Sequence, residues 1–106
     1  MIYLIERAEV AAEDAAAYLE AIDKLFRPRA QAAGLELVAC WHTPDSIGRD
    51  VEITQVLRFP DWGTWDEIRR RMVLDPELLP WQAARRRLAR RAQRSFCQPA
   101  AFSPMD

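Results

Sequence analysis

Two segments of this chain have the composition of β-strands: LELVACWHT at residues 35–43 and VEITQVLRF at residues 51–59. Both are rich in β-branched and aromatic side chains, which favour the half-buried surface of a sheet. The segment between them, PDSIGRD at residues 44–50, is polar and contains Pro and Gly. Two strand-like segments joined by a short polar connection predict an antiparallel hairpin.

A strand and a helix are predicted before this hairpin. Residues 2–10, IYLIERAEV, are again β-branched and aromatic. From Ala12 onwards the apolar residues recur at helical spacing, with acidic residues on the other side. Pro28 interrupts this pattern, so we expect a kink or a restart there. Gly34 is expected to end the helix in a left-handed conformation.

Two helices and a fourth strand are predicted after the hairpin. Thr64 and Glu67 have the spacing of a capping box, which predicts a helix start near Trp65. The triplet Asp75-Pro76-Glu77 combines an N-cap, an early proline and an early acid, and predicts a second start. The last helix is expected to carry an apolar stripe of Trp81, Ala84, Leu88 and Ala92. A short strand is expected at 94–98.

The predicted order, β-α-β-β-α-α-β, is that of an α+β ferredoxin-like plait, in which helices cover one face of an antiparallel sheet. A chain of 106 residues has room for one such domain. We place that domain at residues 1–98, followed by a C-terminal tail at 99–106. With half of its residues apolar, the chain can build a core.

Alternation along the strands predicts which residues share a face. The odd positions of the second and third strands are almost wholly apolar and are expected to meet the helices: Leu35, Leu37, Ala39, Trp41, Val51, Ile53, Gln55, Leu57 and Phe59. The even positions form a mixed second face: Glu36, Val38, Cys40, His42, Glu52, Thr54, Val56 and Arg58. The first strand fits either parity, and we assign its even residues, including Glu6, to the second face. A mixed face with apolar members needs a cover, and a second copy of the sheet would give a symmetric dimer that encloses a cavity.

The succession of motifs along the chain is similar to that of NIPSNAP-family domains of the dimeric α/β-barrel superfamily. The resemblance covers roughly residues 2–98, and the motifs that carry it are Phe26-Arg27-Pro28, Leu37-Val38-Ala39-Cys40-Trp41, Ile53 to Phe59, Arg69-Arg70-Arg71, Asp75-Pro76-Glu77 and Trp81. It implies a homodimer whose two sheets face each other across a lumen. Relatives in the wider superfamily include cofactor-independent monooxygenases, haem-degrading proteins and small-molecule isomerases, and the fold alone does not choose among them.

The second face supplies the candidate site. His42 is the only histidine, and its side chain can exchange protons near neutral pH. We predict that it acts with Arg58, which could hold a carboxylate or enolate, and with Glu6, which could orient the imidazole. The ligand-binding residues predicted around them are Val38, Cys40, Thr54 and Val56. The competing interpretation of His42, a partly solvated histidine at a strand edge, is the more frequent case.

Two function classes remain open. The first is a small-molecule-binding dimer, with an activity of the cofactor-independent monooxygenase or isomerase type on an aromatic or polyketide-like compound. The second is a non-catalytic structural or interaction module built on the same dimer. We expect no cofactor and no metal, because one histidine and two distant cysteines do not make a zinc pattern and the three glycines make no phosphate-binding loop.

Charge argues against a third class, the nucleic-acid binders. Residues 69–94 hold nine arginines and only two acidic residues, but the whole chain has a net charge of −1. The arginine triplets point in three directions around a helix, so they make no single basic stripe. We therefore expect no nucleic-acid partner. No apolar run is long enough for a membrane span, and we expect a cytoplasmic protein.

Overall fold

The computed structural model describes residues 1–44 and 49–105. The elements in chain order are β1 (Ile2–Val10), a 3₁₀ turn (Ala12–Asp14), α1 (Ala15–Ala21), a π-helical segment (Ile22–Phe26), α2 (Arg27–Ala33), β2 (Glu36–His42), β3 (Val51–Phe59), α3 (Trp62–Val73), a second 3₁₀ turn (Pro76–Leu78), α4 (Leu79–Leu88) and β4 (Ala89–Cys97). The strands form one antiparallel sheet in the order β2-β3-β1-β4. The middle of the predicted hairpin turn, residues 45–48, lies outside the described residues.

The helices pack on one face of the sheet, called here the helix face, and the opposite side is called the open face. Leu4, Ile53 and Leu57 on the helix face form one core with Tyr18 of α1 and Ile68 of α3. All five are almost fully buried. The α+β ferredoxin-like plait predicted from the sequence is therefore confirmed.

The first helical region restarts where Pro28 predicts it. A π-helical segment ends at Phe26, and α2 begins at Arg27 with Pro28 in its first turn, the part of a helix that tolerates proline. Gly34 ends the helix at a φ of 101°. The amide of Leu35 donates to the carbonyl of Ala30 at 2.9 Å, which closes the helix end.

The start of α3 differs from the predicted one. Asp61 caps the helix, because its Oδ1 accepts both the amide N–H and the hydroxyl of Thr64, each at 2.8 Å. The helix therefore begins at Trp62, three residues before the expected start. The second start is confirmed: Oδ1 of Asp75 accepts the amide N–H of Glu77 at 2.9 Å, and the turn at Pro76–Leu78 leads into α4.

The last strand is longer than predicted. β4 begins at Ala89 rather than near Arg94, and it pairs with β1 along nearly its whole length. Ala92 therefore lies on the strand, beyond the end of the helical stripe at Leu88. Pairing with the free edge of β1 outweighs the helical preference of the alanines and arginines, as tertiary context often does.

A β-bulge in β2 changes which residues share a face. Leu37 pairs with Leu57, but Ala39 pairs with Val56, so Val38 is the extra residue. Beyond a one-residue insertion, every side chain moves to the opposite face. Ala39 and Trp41 therefore lie on the open face, with Trp41 61% exposed, and the odd-parity assignment of this half of β2 is wrong.

The parity assigned to β1 is also wrong. Leu4 pairs with Leu57 and Glu6 with Gln55, so the even residues of β1 lie on the helix face. Leu4 and Val10 are almost completely buried there. The odd residues, including Tyr3 and Ile5, lie on the open face, and alternation could not decide because both parities contain apolar residues.

Candidate functional site

The residues predicted for the site separate between the two faces of the sheet. Arg58, Thr54 and Val56 lie on the open face, as predicted, because their partners on β1 are Tyr3, Arg7 and Ile5. Glu6, Cys40 and His42 lie on the helix face instead: Glu6 and Cys40 pair with Gln55, and His42 pairs with Ile53. Val38 lies at the bulge and is 38% exposed. The expected grouping of His42, Arg58 and Glu6 on one face is therefore wrong, because of the bulge and the parity of β1.

Arg58 and His42 have separate local partners. Nε of Arg58 donates to Oε2 of Glu36 at 2.8 Å, and this hydrogen bond holds the pKa of the Glu36 carboxyl below its usual range. His42 is exposed, and its Nδ1 lies 3.0 Å from the backbone carbonyl of Thr43. Arg58 on the open face and His42 on the helix face therefore do not act on a common ligand in this arrangement.

Glu6 lies in a more enclosed setting on the helix face. Its side chain is 11% exposed. Nη2 and Nε of Arg94, on the neighbouring strand, donate to its Oε1 at 2.7 and 3.1 Å. The carboxylate therefore keeps Oε2 without a hydrogen bond from the described residues, and it lies at the edge of the space between sheet and helices.

Gln55 is the buried polar residue in the centre of the sheet. It is 2% exposed and pairs with Glu6 on one side and Cys40 on the other. Its Oε1 has no hydrogen-bond partner among the described residues. A buried acceptor without a donor costs about 1–3 kcal/mol, so a molecule that donates to it stabilises this region.

Tyr18 of α1 faces the same place from the helices. It is 2% exposed, and its ring centroid lies 5.5 Å from that of Trp81. Burial raises the pKa of Tyr18 to about 12, against the opposing effect of the positive charge of Arg85 and with added contributions from Glu6 and Cys40. The phenol is therefore a hydrogen-bond donor throughout the neutral range. Partial burial of its thiol also raises the pKa of Cys40.

Gln55, Tyr18 and Glu6 line one small cavity together with Arg85. Its volume of about 10 Å³ is close to what a single water molecule needs. Glu6 and Arg85 also line a second, larger cavity of about 160 Å³ between the sheet and helices α3 and α4. The two cavities therefore adjoin at the same pair of charged side chains.

The larger cavity has an apolar floor and a charged rim. The floor is formed by buried or half-buried apolar side chains: Leu4, Phe26, Leu35, Trp65, Met72, Leu78 and Trp81. The exposed Val73 also lines the cavity. The rim is formed by Glu6, Arg69, Gln82, Arg85 and Arg94. Helical spacing explains how each helix supplies an apolar and a charged residue to the cavity. On α3, Trp65 and Arg69 lie four residues apart and therefore on one side of the helix. Trp81 and Arg85 have the same spacing on α4.

Other depressions lack these features. A wider one of about 580 Å³ lies over the outward side of α3 and is lined mainly by exposed charged residues such as Asp66 and Arg70. Within residues 1–44 and 49–105, no group of three or more His, Cys, Asp or Glu side chains could hold a metal ion. No helix in this part of the chain is long and apolar enough to cross a membrane.

Sequence reasoning missed Gln55, Tyr18, Arg85 and Arg94 as site residues. One signal was available, because Gln55 interrupts the apolar positions Val51, Ile53, Leu57 and Phe59. A polar residue in an apolar alternation marks either a satisfied core amide or a site, and its unpartnered Oε1 favours the second. Tyr18 had no such signal, since it occupies an ordinary core position of an amphipathic helix.

Comparison with known proteins places the chain in a family. Residues 3–104 match the NIPSNAP family model. A NIPSNAP family protein of unknown function from Agrobacterium tumefaciens is 26% identical, with a TM-score of 0.83 over 100% of this chain and 94% of the other. A NIPSNAP domain protein from Burkholderia xenovorans is 19% identical, with a TM-score of 0.81 over 98% and 99%. A cofactor-independent oxygenase from Streptomyces nogalater shares the fold at 17% identity, with a TM-score of 0.61 over 97% and 96%.

No curated protein matches the sequence. Because the family model spans almost the whole chain, this protein belongs to the NIPSNAP family.

Proposed function

We propose that this protein binds a small organic molecule in the cavity between the sheet and helices α3 and α4, with one polar group of the ligand extending into the adjoining small cavity that Gln55 and Tyr18 line. The observation that carries the proposal is the unpartnered Oε1 of Gln55, buried beside the phenol of Tyr18 and next to an apolar cavity. Ligand sites in proteins are mostly apolar, with a few polar groups that fix the orientation of the ligand. The arrangement on the helix face has this composition.

The polar groups are complementary to a hydroxyl or an enol. Gln55 offers an acceptor, and Tyr18 offers a donor that stays protonated near neutral pH. Glu6 is a carboxylate held in place by Arg94. A ligand with an acidic proton could lose it to Glu6 while its oxygen accepts a hydrogen bond from Tyr18. This proton transfer is the step that an isomerase-type or cofactor-independent oxygenase-type activity would share.

The fold shared with the cofactor-independent oxygenase from Streptomyces nogalater is compatible with an activity of that type. The aromatic or polyketide-like compound is the substrate class that we propose from the sequence analysis. Among the residues predicted from the sequence, Glu6 retains a catalytic role in this proposal. The roles predicted for His42 and Arg58 require them to face a lumen on the open side, and only Arg58 lies there. If Glu6 never accepts a proton from the ligand, the alternative function holds, in which the same dimer is a non-catalytic structural or interaction module.

We further propose that the protein is a homodimer that joins two open faces. Trp41 and Val38 are exposed large apolar residues, and Trp41 lies on that face beside Thr54. Charged groups such as Arg58 and Glu36 lie among them, so the face resembles an interface with a lumen rather than a closed core. Joining two open faces would give the dimeric α/β barrel that the family resemblance implies.

The ligand proposal is tested with p-cresol, a phenol of suitable size, by titration monitored through the fluorescence of Trp65 and Trp81, which line the cavity. We expect saturable binding that is weakened about fivefold in Tyr18→Phe, since a lost hydrogen bond contributes about 1 kcal/mol. Tyr3→Phe is the matched control, because it removes a hydroxyl from the open face. Equal affinity in all three proteins would contradict the proposed site.

A further inference from the structure

Three guanidinium groups surround the mouth of the larger cavity, and they come from three different elements. Arg69 lies on α3, Arg85 on α4 and Arg94 on β4, and all three line the cavity. The rim contains a single carboxylate, that of Glu6, and Arg94 binds it. Arg69 and Arg85 have no ion pair with any carboxylate within residues 1–44 and 49–105. The mouth of the cavity therefore carries excess positive charge.

Some arginines of the same elements have carboxylate partners: Arg71 pairs with Glu67, and Arg90 pairs with Asp50. Other arginines of these elements, such as Arg87, have no ion pair among the described residues, but they do not line this cavity. What distinguishes Arg69 and Arg85 is that they lack a counterion and lie beside a largely apolar cavity. Arg85 is only partly exposed, and its charge acts on the buried phenol of Tyr18. A guanidinium that is partly withdrawn from water and has no counterion is a site for an external anion.

The floor of the cavity restricts what else the ligand contains. It includes the indoles of Trp65 and Trp81 and the ring of Phe26, whose centroid lies 5.1 Å from that of Trp81. A volume of about 160 Å³ is close to the roughly 150 Å³ that accommodates benzene in an apolar protein cavity. A nucleotide is too large for this space, whereas a single aromatic ring fits it.

We infer that the ligand of this cavity is a small organic acid with a compact, apolar and preferably aromatic body and one carboxylate. The ring would occupy the floor, and the carboxylate would lie at the rim within reach of Arg69 and Arg85. The planar fork of a guanidinium matches the two oxygens of a carboxylate, and a lysine would not reproduce that geometry. This inference rests on the proposed function, since it assumes that the cavity is the ligand site and adds the chemical class of the ligand.

The test compares benzoate with benzamide, which has the same ring and nearly the same shape but no charge. Dissociation constants are measured by isothermal titration calorimetry for the full chain and for three variants with the same loss of charge: Arg69→Gln, Arg85→Gln and Arg87→Gln. Arg87 is an exposed residue of α4 that does not line the cavity. Circular dichroism establishes that each variant is folded.

We expect the unmodified chain to bind benzoate at least about tenfold more tightly than benzamide, because a charge-assisted pair is about twice as strong as a neutral one. The ratio of the affinity for benzoate to that for benzamide should fall several-fold in Arg85→Gln and in Arg69→Gln. It should stay unchanged in Arg87→Gln. Higher salt should reduce the affinity for benzoate and not that for benzamide. Arg85→Lys should recover only part of the preference.

Equal affinities for benzoate and benzamide would overturn the inferred ligand class and leave the proposed cavity standing. A preference for benzoate that persists in both Arg69→Gln and Arg85→Gln would also overturn it, because the anion would then be held elsewhere. Absence of binding of benzoate, benzamide and p-cresol at millimolar concentration would contradict the proposed function itself. The two failures are therefore distinguishable.

Discussion

Ala39 lies directly opposite Val56 across strands β2 and β3. The neighbouring pair is Leu37 with Leu57, so Val38 has no partner of its own in the register. This extra residue is a β-bulge at the edge of the sheet, a position where bulges are frequent and where they redirect side chains. As a result, Trp41 projects from the open face and His42 from the helix face, near the free end of the strand.

This geometry predicts that His42→Ala leaves ligand binding unchanged. His42 is exposed, and its Nδ1 lies within hydrogen-bond distance of the carbonyl of Thr43 rather than of a cavity residue. We expect the same affinity for p-cresol and a change in unfolding free energy below about 0.5 kcal/mol, as at other exposed positions. Fluorescence titration and urea denaturation measure the two quantities. A loss of binding would restore the role that the sequence predicted for this residue.

The proposed dimer predicts that Trp41→Glu and Val38→Asp dissociate the protein. Both side chains are exposed in the single chain, so the substitutions place a charge in the interface without disturbing a core. Sedimentation equilibrium at micromolar concentration should give twice the chain mass of 12.3 kDa for the unmodified protein and a lower mass for each variant. Leu79→Glu is the matched control, because Leu79 is 60% exposed at the start of α4. A monomeric unmodified protein would contradict the proposal.

Periodicity predicted the parts of the fold whose signal is local. The bounds of β1 and β3 agree with the structure, because each contains β-branched and other apolar residues at strand spacing and β3 has a clear end at Pro60. The full length of β4 was not predictable in this way, since an arginine-rich segment such as ARRAQRSFC becomes a strand only by pairing with β1. Pairing of this kind is a property of the tertiary structure.

The site was harder to predict than the fold because it depends on parity. A single bulge reverses every assignment beyond it, and Val38 is an ordinary strand residue with nothing in its type to mark it. The first strand carries apolar residues on both faces, with Leu4 facing the helices and Tyr3 facing away. Only the observed register brings Glu6 beside Gln55, and only the packing of α1 brings Tyr18 near them.

A third prediction concerns acid stability. Asp75 caps the turn before α4, and its Oδ2 accepts a hydrogen bond from Nε of Arg29 at 2.6 Å. The Arg29 guanidinium holds the pKa of Asp75 below its usual range, with a smaller contribution from the amide of Glu77. A depressed pKa contributes stability above the unfolded value of about 4, and that contribution is lost as the pH falls through the lower folded value.

Asp75→Asn should therefore be less stable than the unmodified chain at pH 7, and the difference should shrink as the pH falls below about 4. Urea midpoints measured across this range follow the effect. Asp23→Asn is the control, because Asp23 pairs with Arg27 in an exposed i,i+4 bridge and should change the midpoint little. A difference between Asp75→Asn and the unmodified chain that stays constant down to pH 2 would show that the charge of Asp75 is not what stabilises this junction.

The last prediction separates stability from function at Gln55. Its buried Oε1 has no donor among the described residues. The substitution Gln55→Leu therefore removes an unpaired polar group and replaces it with an apolar side chain of similar size. We expect the free energy of unfolding to stay the same or to rise by about 1 kcal/mol, while the affinity for p-cresol falls. Gln55→Ala is the matched variant: it also removes the amide but leaves a cavity, and it should lower the free energy of unfolding by about 1 kcal/mol or more. If Gln55→Leu lowers it by a comparable amount, the amide is satisfied in the native protein and the strongest support for the ligand site is lost.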